Sequence, residues 1–234
     1  MSRTSFKADM KIILREPILL LFILLPLLIA LIFKALINFG EVYVYTFTGI
    51  VLENYYGYIL TGVFLITPSM LGTVTGFLMI DERDVKINEL IGITPIGYSG
   101  YVMNRLIIPF FGSIIYTLYS YYLLNIYKIS FVILGYIAVL LGLQGILVGL
   151  ILYKIADDKV KGLTYSKGMS IFTVLAMADL INNDFIIYIA SITPFYWITR
   201  LIIDGNKAYS VTMAAIVHLI YFLIIVWLGK IYRE

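Results

Sequence analysis

The 234-residue chain contains no cysteine. That excludes disulfides, thiolate catalysis and any Cys-ligated metal or cluster. It contains one histidine, which excludes a multi-His metal site within the chain. Charge is scarce as well: 13% of residues are charged, and the net charge of +3 is too small to point to nucleic acid. No hydrophilic stretch is long enough for a separate soluble domain. The chain also lacks the G-x-x-x-x-G-K-[ST] phosphate loop. The stretch Gly162 to Gly168 holds glycine and Lys167 but neither the spacing nor the Ser/Thr. ATP hydrolysis is therefore not expected from this chain, and no metal or cofactor is expected to be bound by it.

Apolar surface is what the chain has in excess. Hydrophobic residues make up 62% of it and the mean hydropathy is +0.98, against roughly 45–50% apolar in soluble domains. A chain of this length has no soluble core large enough for that excess. About 20 apolar residues cross a bilayer core, and six runs qualify: 18–37, 56–80, 101–126, 131–153, 163–181 and 211–229. Between Ile18 and Phe33 nearly every residue is Leu, Ile or Phe, each favouring insertion by roughly 0.3–0.6 kcal/mol, a sum that tolerates Pro26. This run is longer than the usual core of a cleaved signal peptide and is read as a retained span. The run 163–181 is the weakest. The stretch 182–210, broken by Pro194, Arg200 and Asp204, is expected to form an outer re-entrant or interfacial segment. The expectation is a single all-α polytopic membrane domain, 1–234, with six transmembrane helices.

With six spans, Lys and Arg divide unevenly. Thirteen, from Arg3 and Lys7 through Arg83, Lys86 and Arg105 to Arg233, fall on one side, and Lys34, Lys128, Arg200 and Lys207 on the other. The positive-inside rule then places both termini in the cytoplasm. Tyr116, Tyr119, Tyr121 and Tyr122 suit the outer interface, and the Gly72/Gly76 and Gly145/Gly149 pairs suit close helix packing.

Two cytoplasmic segments are distinctive. In 1–17, Phe6, Met10, Ile13 and Leu14 recur at helical spacing among Lys7, Lys11 and Arg15, which predicts an amphipathic helix on the inner leaflet, a direct contact with the lipid bilayer. In 81–100 the chain reads IDERDVKINELIGITPIGYSG from Ile80. Glu82 and Lys86 form an i,i+4 pair in the favoured order, Ile87, Leu90 and Ile91 form an apolar stripe, and Gly92 with Thr94-Pro95 ends the helix. Its acidic share fits a protein partner better than anionic lipid.

This segment resembles the loop after the second span in ABC-2-type transporter permeases, with Glu82, Glu89, Thr94 and Pro95 matching the acidic and Thr-Pro positions. Arg15-Glu16-Pro17 is similar to the end of that family's N-terminal connector, and Thr193-Pro194-Phe195-Tyr196-Trp197 to its outer segment before the last span. Small bacterial drug-export permeases of the fluoroquinolone-exporter type look most similar. The resemblance implies a dimer, with a second copy or a homologous permease. It also implies two separate ABC ATPase subunits that hold ATP and Mg, docked through a coupling helix carrying Glu82, Arg83, Glu89, Thr94 and Pro95. An amphipathic, drug-like molecule would be exported, past a path to which Thr61, Ser69, Thr73 and His218 are candidates.

Two other classes compete. A secondary transporter or channel needs ionisable groups at mid-membrane, and His218 is the main candidate. An intramembrane serine protease would use the Gly97-Tyr98-Ser99-Gly100 motif with His218. However, Ser99 lies in a turn before the third span, and the motif is short.

Overall fold

The computed structural model describes residues 3–95 and 97–231. Ser2 of the expected interfacial helix and Ile96 of the expected coupling segment lie outside them, as does the side chain of Phe6. Every regular element among the described residues is helical: α1 (Arg3–Arg15), α2 (Pro17–Thr48), α3 (Tyr56–Asp84), α4 (Ile87–Gly92), α5 (Gly97–Leu124), α6 (Phe131–Ile155), α7 (Lys159–Leu175), α8 (Asp184–Ser191), α9 (Pro194–Asp204) and α10 (Ala208–Ile231), with short 3₁₀ turns at Leu52–Tyr55 and Ala178–Ile181. Five helices are long and apolar enough to cross a membrane, or six if the bent α8–α9 pair is counted as one span. The protein is an all-α polytopic membrane protein.

Contacts fix the direction of each helix. Phe22 of α2 meets Phe77 of α3 edge to face, and Lys34 reaches Leu124 at the end of α5. Those contacts define a basal end, with α1 and α4, and a distal end. On α3, Gly72 sits against Gly145 and Val148 of α6, and Gly76 against Gly149 and Leu152, so α3 and α6 run parallel toward the basal end. Gly142 and Gly145 of α6 lie on Phe110 and Pro109 of α5, which runs the other way. α7 is short and carries lysines, yet it follows α3 in antiparallel register. Gly162 meets Phe77 and Met177, just past its end, meets Gly62. Fifteen residues of helix separate each of those pairs, about 22 Å of rise. α7 therefore travels from the basal end to the distal end.

The segment expected to be re-entrant or interfacial is α8 and α9, which meet at 110°. The turn between them is anchored halfway down the bundle: the Pro194 carbonyl accepts a hydrogen bond from Gln144, in the middle of α6. At the other end of α9, Arg200 pairs with Asp179 and Asp204, and Asp204 accepts from Ser210 at the start of α10. The geometry of the bent pair fits either a broken span or a re-entrant loop.

α3 is the central helix. α2, α5, α6, α7 and α9 all pack on it, and most of its length from Gly57 to Glu82 is buried. Small residues allow that closeness. In a bilayer, apolar side chains gain little by leaving lipid, so tight van der Waals fit holds helices together. A Cβ on Gly72 would lie 2.6 Å from the Gly145 carbonyl oxygen and 2.7 Å from Val148 Cβ. Neither atom belongs to a flexible side-chain end. Gly72→Ala is expected to cost about 1–3 kcal/mol by overpacking and to lower the thermal midpoint in detergent. Gly135→Ala, with no neighbour within 4 Å, leaves the midpoint unchanged or slightly raised. Equal midpoints for the two variants would refute the close α3–α6 crossing.

Candidate functional site, the basal elbow

α3 leaves the bundle at the basal end and stops at Asp84. Val85 and Lys86 make a turn, with Lys86 at φ 56° in the left-handed region, and α4 begins at Ile87. Beyond α4, the Thr94 hydroxyl donates to the Ile91 carbonyl at 2.6 Å, and the Gly97 amide donates to the Thr94 carbonyl at 3.0 Å. Gly97, at φ 64°, then opens α5. α4 is thus a separate one-and-a-half-turn element held between two tight turns. The expected Glu82–Lys86 pair does not form. The left-handed turn breaks the helical spacing, and Glu82 faces inward.

Inside the elbow lies a buried ion cluster. Arg105, two turns into α5, gives Nε to Glu82 Oε2 at 2.9 Å and Nη2 to Glu82 Oε1, while Nη1 pairs with Asp9 of α1. The Tyr101 hydroxyl donates to Glu82 at 2.6 Å. Asp9 is 2% exposed, and Glu82 and Arg105 are 8% exposed. The fork-on-carboxylate geometry is the strongest form of this bond, and one guanidinium ties α1, α3 and α5 together.

Two more tethers surround it. Arg83 donates to the carbonyls of Tyr153, Ala156 and Asp157 at 3.0, 2.6 and 2.8 Å. It satisfies carbonyls at the α6 C-terminus that have no helical donor, where a cation is also favoured by the helix dipole. Lys159, at the start of α7, pairs with Glu16 and Asp81 at 2.5 Å each. Burial works against the Lys159 ammonium, but hydrogen bonds to Asp81 and Glu16 outweigh it and hold its pKa above the ordinary lysine value.

The outer surface of the elbow differs in character. Glu89, Thr94 and Pro95 are exposed. So are three apolar side chains with no cover: Val85, Leu90 at 63% and Ile93 at 86%. Ile91 turns inward onto the cluster of Val74, Phe77, Met79 and Ile80.

Of the residues singled out in the sequence, the structure brings Glu82 and Arg83 inside and leaves Glu89, Thr94 and Pro95 outside. On α1, Met10 and Ile13 pack onto the basal core, while Leu14 and Arg15 are exposed. Thr61 and Thr73 are enclosed within the subunit, with their hydroxyls bonded to the carbonyls of Gly57 and Ser69, at 2.9 and 2.7 Å, and Ser69 bonds likewise to Leu65 at 3.0 Å. They form no cluster with His218. Instead His218 meets Gln144, which sequence reasoning missed, with Nε2 to Nε2 at 2.9 Å. His218 Nδ1 lies 2.7 Å from the Ala214 carbonyl, which only accepts, so Nδ1 carries the proton and Nε2 takes one from Gln144. Ser99 and His218 belong to opposite parts of the fold, Ser99 at the basal start of α5 and His218 beside mid-α6, so they cannot form a catalytic pair. Also missed were Asp9 and the role of Arg105. Among the described residues no group of three His, Cys, Asp or Glu could hold a metal.

Arg105→Ala would leave two carboxylates buried together, and losing one partner of a buried pair costs about 3–5 kcal/mol. The expected result is a lower thermal midpoint and faster trypsin cleavage at exposed Lys11 as α1 detaches. The triple change Asp9→Asn, Glu82→Gln, Arg105→Met removes all three charges and restores much of the midpoint. A stable Arg105→Ala protein with a protected Lys11 would show that the cluster does not hold α1.

No curated protein and no solved structure matches the chain. One family model does, over residues 9–229, described as "Fluoroquinolones export permease protein Rv2686c-like". That match takes in the ion cluster from Asp9 onward, the elbow, the α8–α9 pair and α10. The chain belongs to the family of fluoroquinolone export permease proteins of the Rv2686c-like type.

Proposed function

We propose that this permease is one membrane-spanning half of an ATP-driven ABC exporter, and that the elbow is where a separate ATPase subunit docks. The observation that carries this reading is the contrast across 81–97. The inner side is clamped by Arg105, Arg83 and Lys159 to four other helices, and the outer side presents bare Leu90 and Ile93 beside Glu89. A rigid mount with an apolar tip and a charged rim has the anatomy of a docking knob. Glu82 and Arg83 act in this reading as positioning residues that set the angle of the knob. The Thr94-Pro95 turn limits its swing, and Glu89 is the carboxylate placed to meet a partner.

The basal end is cytoplasmic on this reading, because Lys and Arg concentrate there, and the membrane is the plasma membrane of a prokaryote. ATP and Mg are held by the partner, since the chain has no phosphate loop. Two permease subunits enclose the path. The central helix α3 is enclosed on nearly every side by its own subunit, so a substrate would pass between subunits and not through one. The family description names fluoroquinolone export. For this chain the proposal extends to an amphipathic, drug-like molecule moved outward.

The test is co-purification with the candidate ATPase, together with substrate-stimulated ATPase activity and transport in proteoliposomes. Leu90→Glu is expected to cut coupled transport at least tenfold, since burying a charge in a hot spot costs about 2 kcal/mol or more. Glu89→Lys would slow association and change its salt dependence, with a smaller loss of affinity. Neither side chain supports the bundle, so the thermal midpoint stays unchanged. Normal transport by Leu90→Glu would overturn the docking site.

A further inference from the structure

Lys167 stands where a lysine is costly. α7 runs antiparallel to α3, with Gly162 on Phe77 and Met177 on Gly62. In that register Lys167 lies level with Gly72, near the middle of the central helix, where α3 crosses Gly145 of α6. The basal ion layer, where Lys159 opens α7, is eight residues away, about 12 Å of rise. A four-carbon stem does not span that distance. Among the described residues, every other Lys and Arg of a spanning helix lies near one end of the bundle.

Lys167 also faces outward. Val160, Thr164, Lys167, Ile171 and Val174, at spacing i, i+4, i+7, i+11 and i+14, are all exposed, Val160 at 76%, Ile171 at 62% and Val174 at 68%. Lys167 is the middle of this stripe. Gly168 beside it has nothing within 4 Å of a Cβ, so the adjacent space is open.

Hydrocarbon does not solvate an ammonium, and charged side chains at this depth face a bundle interior or a water-filled cavity. Being exposed, Lys167 is not enclosed by its own bundle. A second copy would bring no carboxylate to this level. α5, α6, α7 and α10 contain no Asp or Glu, α3 has none before Asp81, α2 has only Glu41 on the distal side of Lys34, and α8–α9 has Asp184 and Asp204 at its two outer ends. The side chains expected to line a path, Thr61 and Thr73, are enclosed within the subunit, which leaves that task to outward faces. Lipid phosphates lie at the headgroups, so an anion that meets Lys167 belongs to the cargo. We propose that the α7 stripe from Thr164 to Ile171 lines the export path, and that Lys167 is its specificity-determining residue, binding the carboxylate of an amphipathic cargo whose apolar body lies on Ile171 and Val174. This rests on the reading of the chain as one half of an exporter, and it narrows the cargo to molecules that carry an anionic group.

The lack of cysteine makes the stripe directly readable. Thr164→Cys and Ile171→Cys are labelled in native membranes with two membrane-impermeant thiosulfonates, one bearing a sulfonate and one a trimethylammonium, each corrected for its rate with a free thiol. Leu219→Cys, exposed on α10 beside His218 and so at the same depth, is the control. Both α7 positions are expected to label at least tenfold faster than the control. The sulfonate should react at least threefold faster than the ammonium, and that preference should disappear in a Lys167→Gln background. Uptake by the permease with its candidate ATPase in proteoliposomes is then read with a fluoroquinolone and its methyl ester. Lys167→Gln is expected to lose at least fivefold of the carboxylate's uptake and no more than twofold of the ester's, while Lys167→Arg keeps both. Labelling no faster than at Leu219→Cys would overturn the path and leave the half-exporter reading standing. Labelling without a charge preference, or equal losses for the two probes, would overturn the role of Lys167. Anion-selective labelling in a protein that drives neither probe with ATP would support the anion site and overturn the exporter reading.

Discussion

A guanidinium at the rim of a bilayer must be matched by charge and by hydrogen bonds, because little water is present to do either. Arg105 is such a group, and its match comes from two carboxylates, Asp9 of α1 and Glu82 of α3, the second of which also accepts from the Tyr101 hydroxyl one turn below Arg105. The rest of the basal end follows from that requirement. α1 is drawn under the bundle with Ile13 inside and Leu14 outside. The last turn of α3 is fixed in rotation, since Glu82 must point at α5. With Glu82 fixed, the next residue, Arg83, faces the end of α6 and closes its carbonyls. The exposed knob of α4 thus has a direction because a buried carboxylate beneath it has one.

The middle of the molecule obeys a different constraint. Between Gly57 and Glu82, α3 is enclosed by neighbours that approach on glycines, where backbones come within van der Waals distance. Such a core has little freedom to open internally. A motion delivered at the elbow would move α3, α5 and α6 together. Under the proposed exporter reading, such a body would move as a whole against its partner subunit.

Much of this was legible in the sequence. The Leu/Ile/Phe runs fixed the all-helical membrane class, and Gly92 and Thr94-Pro95 marked the end of the elbow. The stop of α2 was not legible. The stretch Asn38 to Thr48 is rich in β-branched and aromatic residues, which read as the end of a helix. It stays helical as far as Thr48, where Gly49 in the left-handed region caps it. Nor was the inward face of Glu82 legible, because its partner lies 23 residues away and Arg105 reads as one more basic residue of a cytoplasmic flank. A signal did exist. Asp9 stands at helical spacing between Phe6 and Ile13, an acid on the apolar side of an amphipathic helix, which calls for a buried cation. The break at Val85 and Lys86 gave none, since no glycine or proline marks it.

Gln144 carried a signal of the same kind: the only glutamine of the chain, in the middle of a highly apolar helix. Its amide has two hydrogens, and both are assigned. His218 has its own proton committed to Ala214, so its free nitrogen takes one, and the Pro194 carbonyl takes the other. The orientation of the amide and the tautomer of the imidazole each require the other. Three segments with no covalent link near this point, α6, the α8–α9 turn and α10, are therefore set at one depth by two side chains. The α8–α9 pair could otherwise slide along the bundle, since its flanks are apolar and apolar contacts resist sliding weakly. A directional bond at its tip and the Asp179–Arg200–Asp204 chain at its rim hold it at both ends. The distal side of the permease is thereby tied to α6, the same helix that Arg83 closes at the basal side.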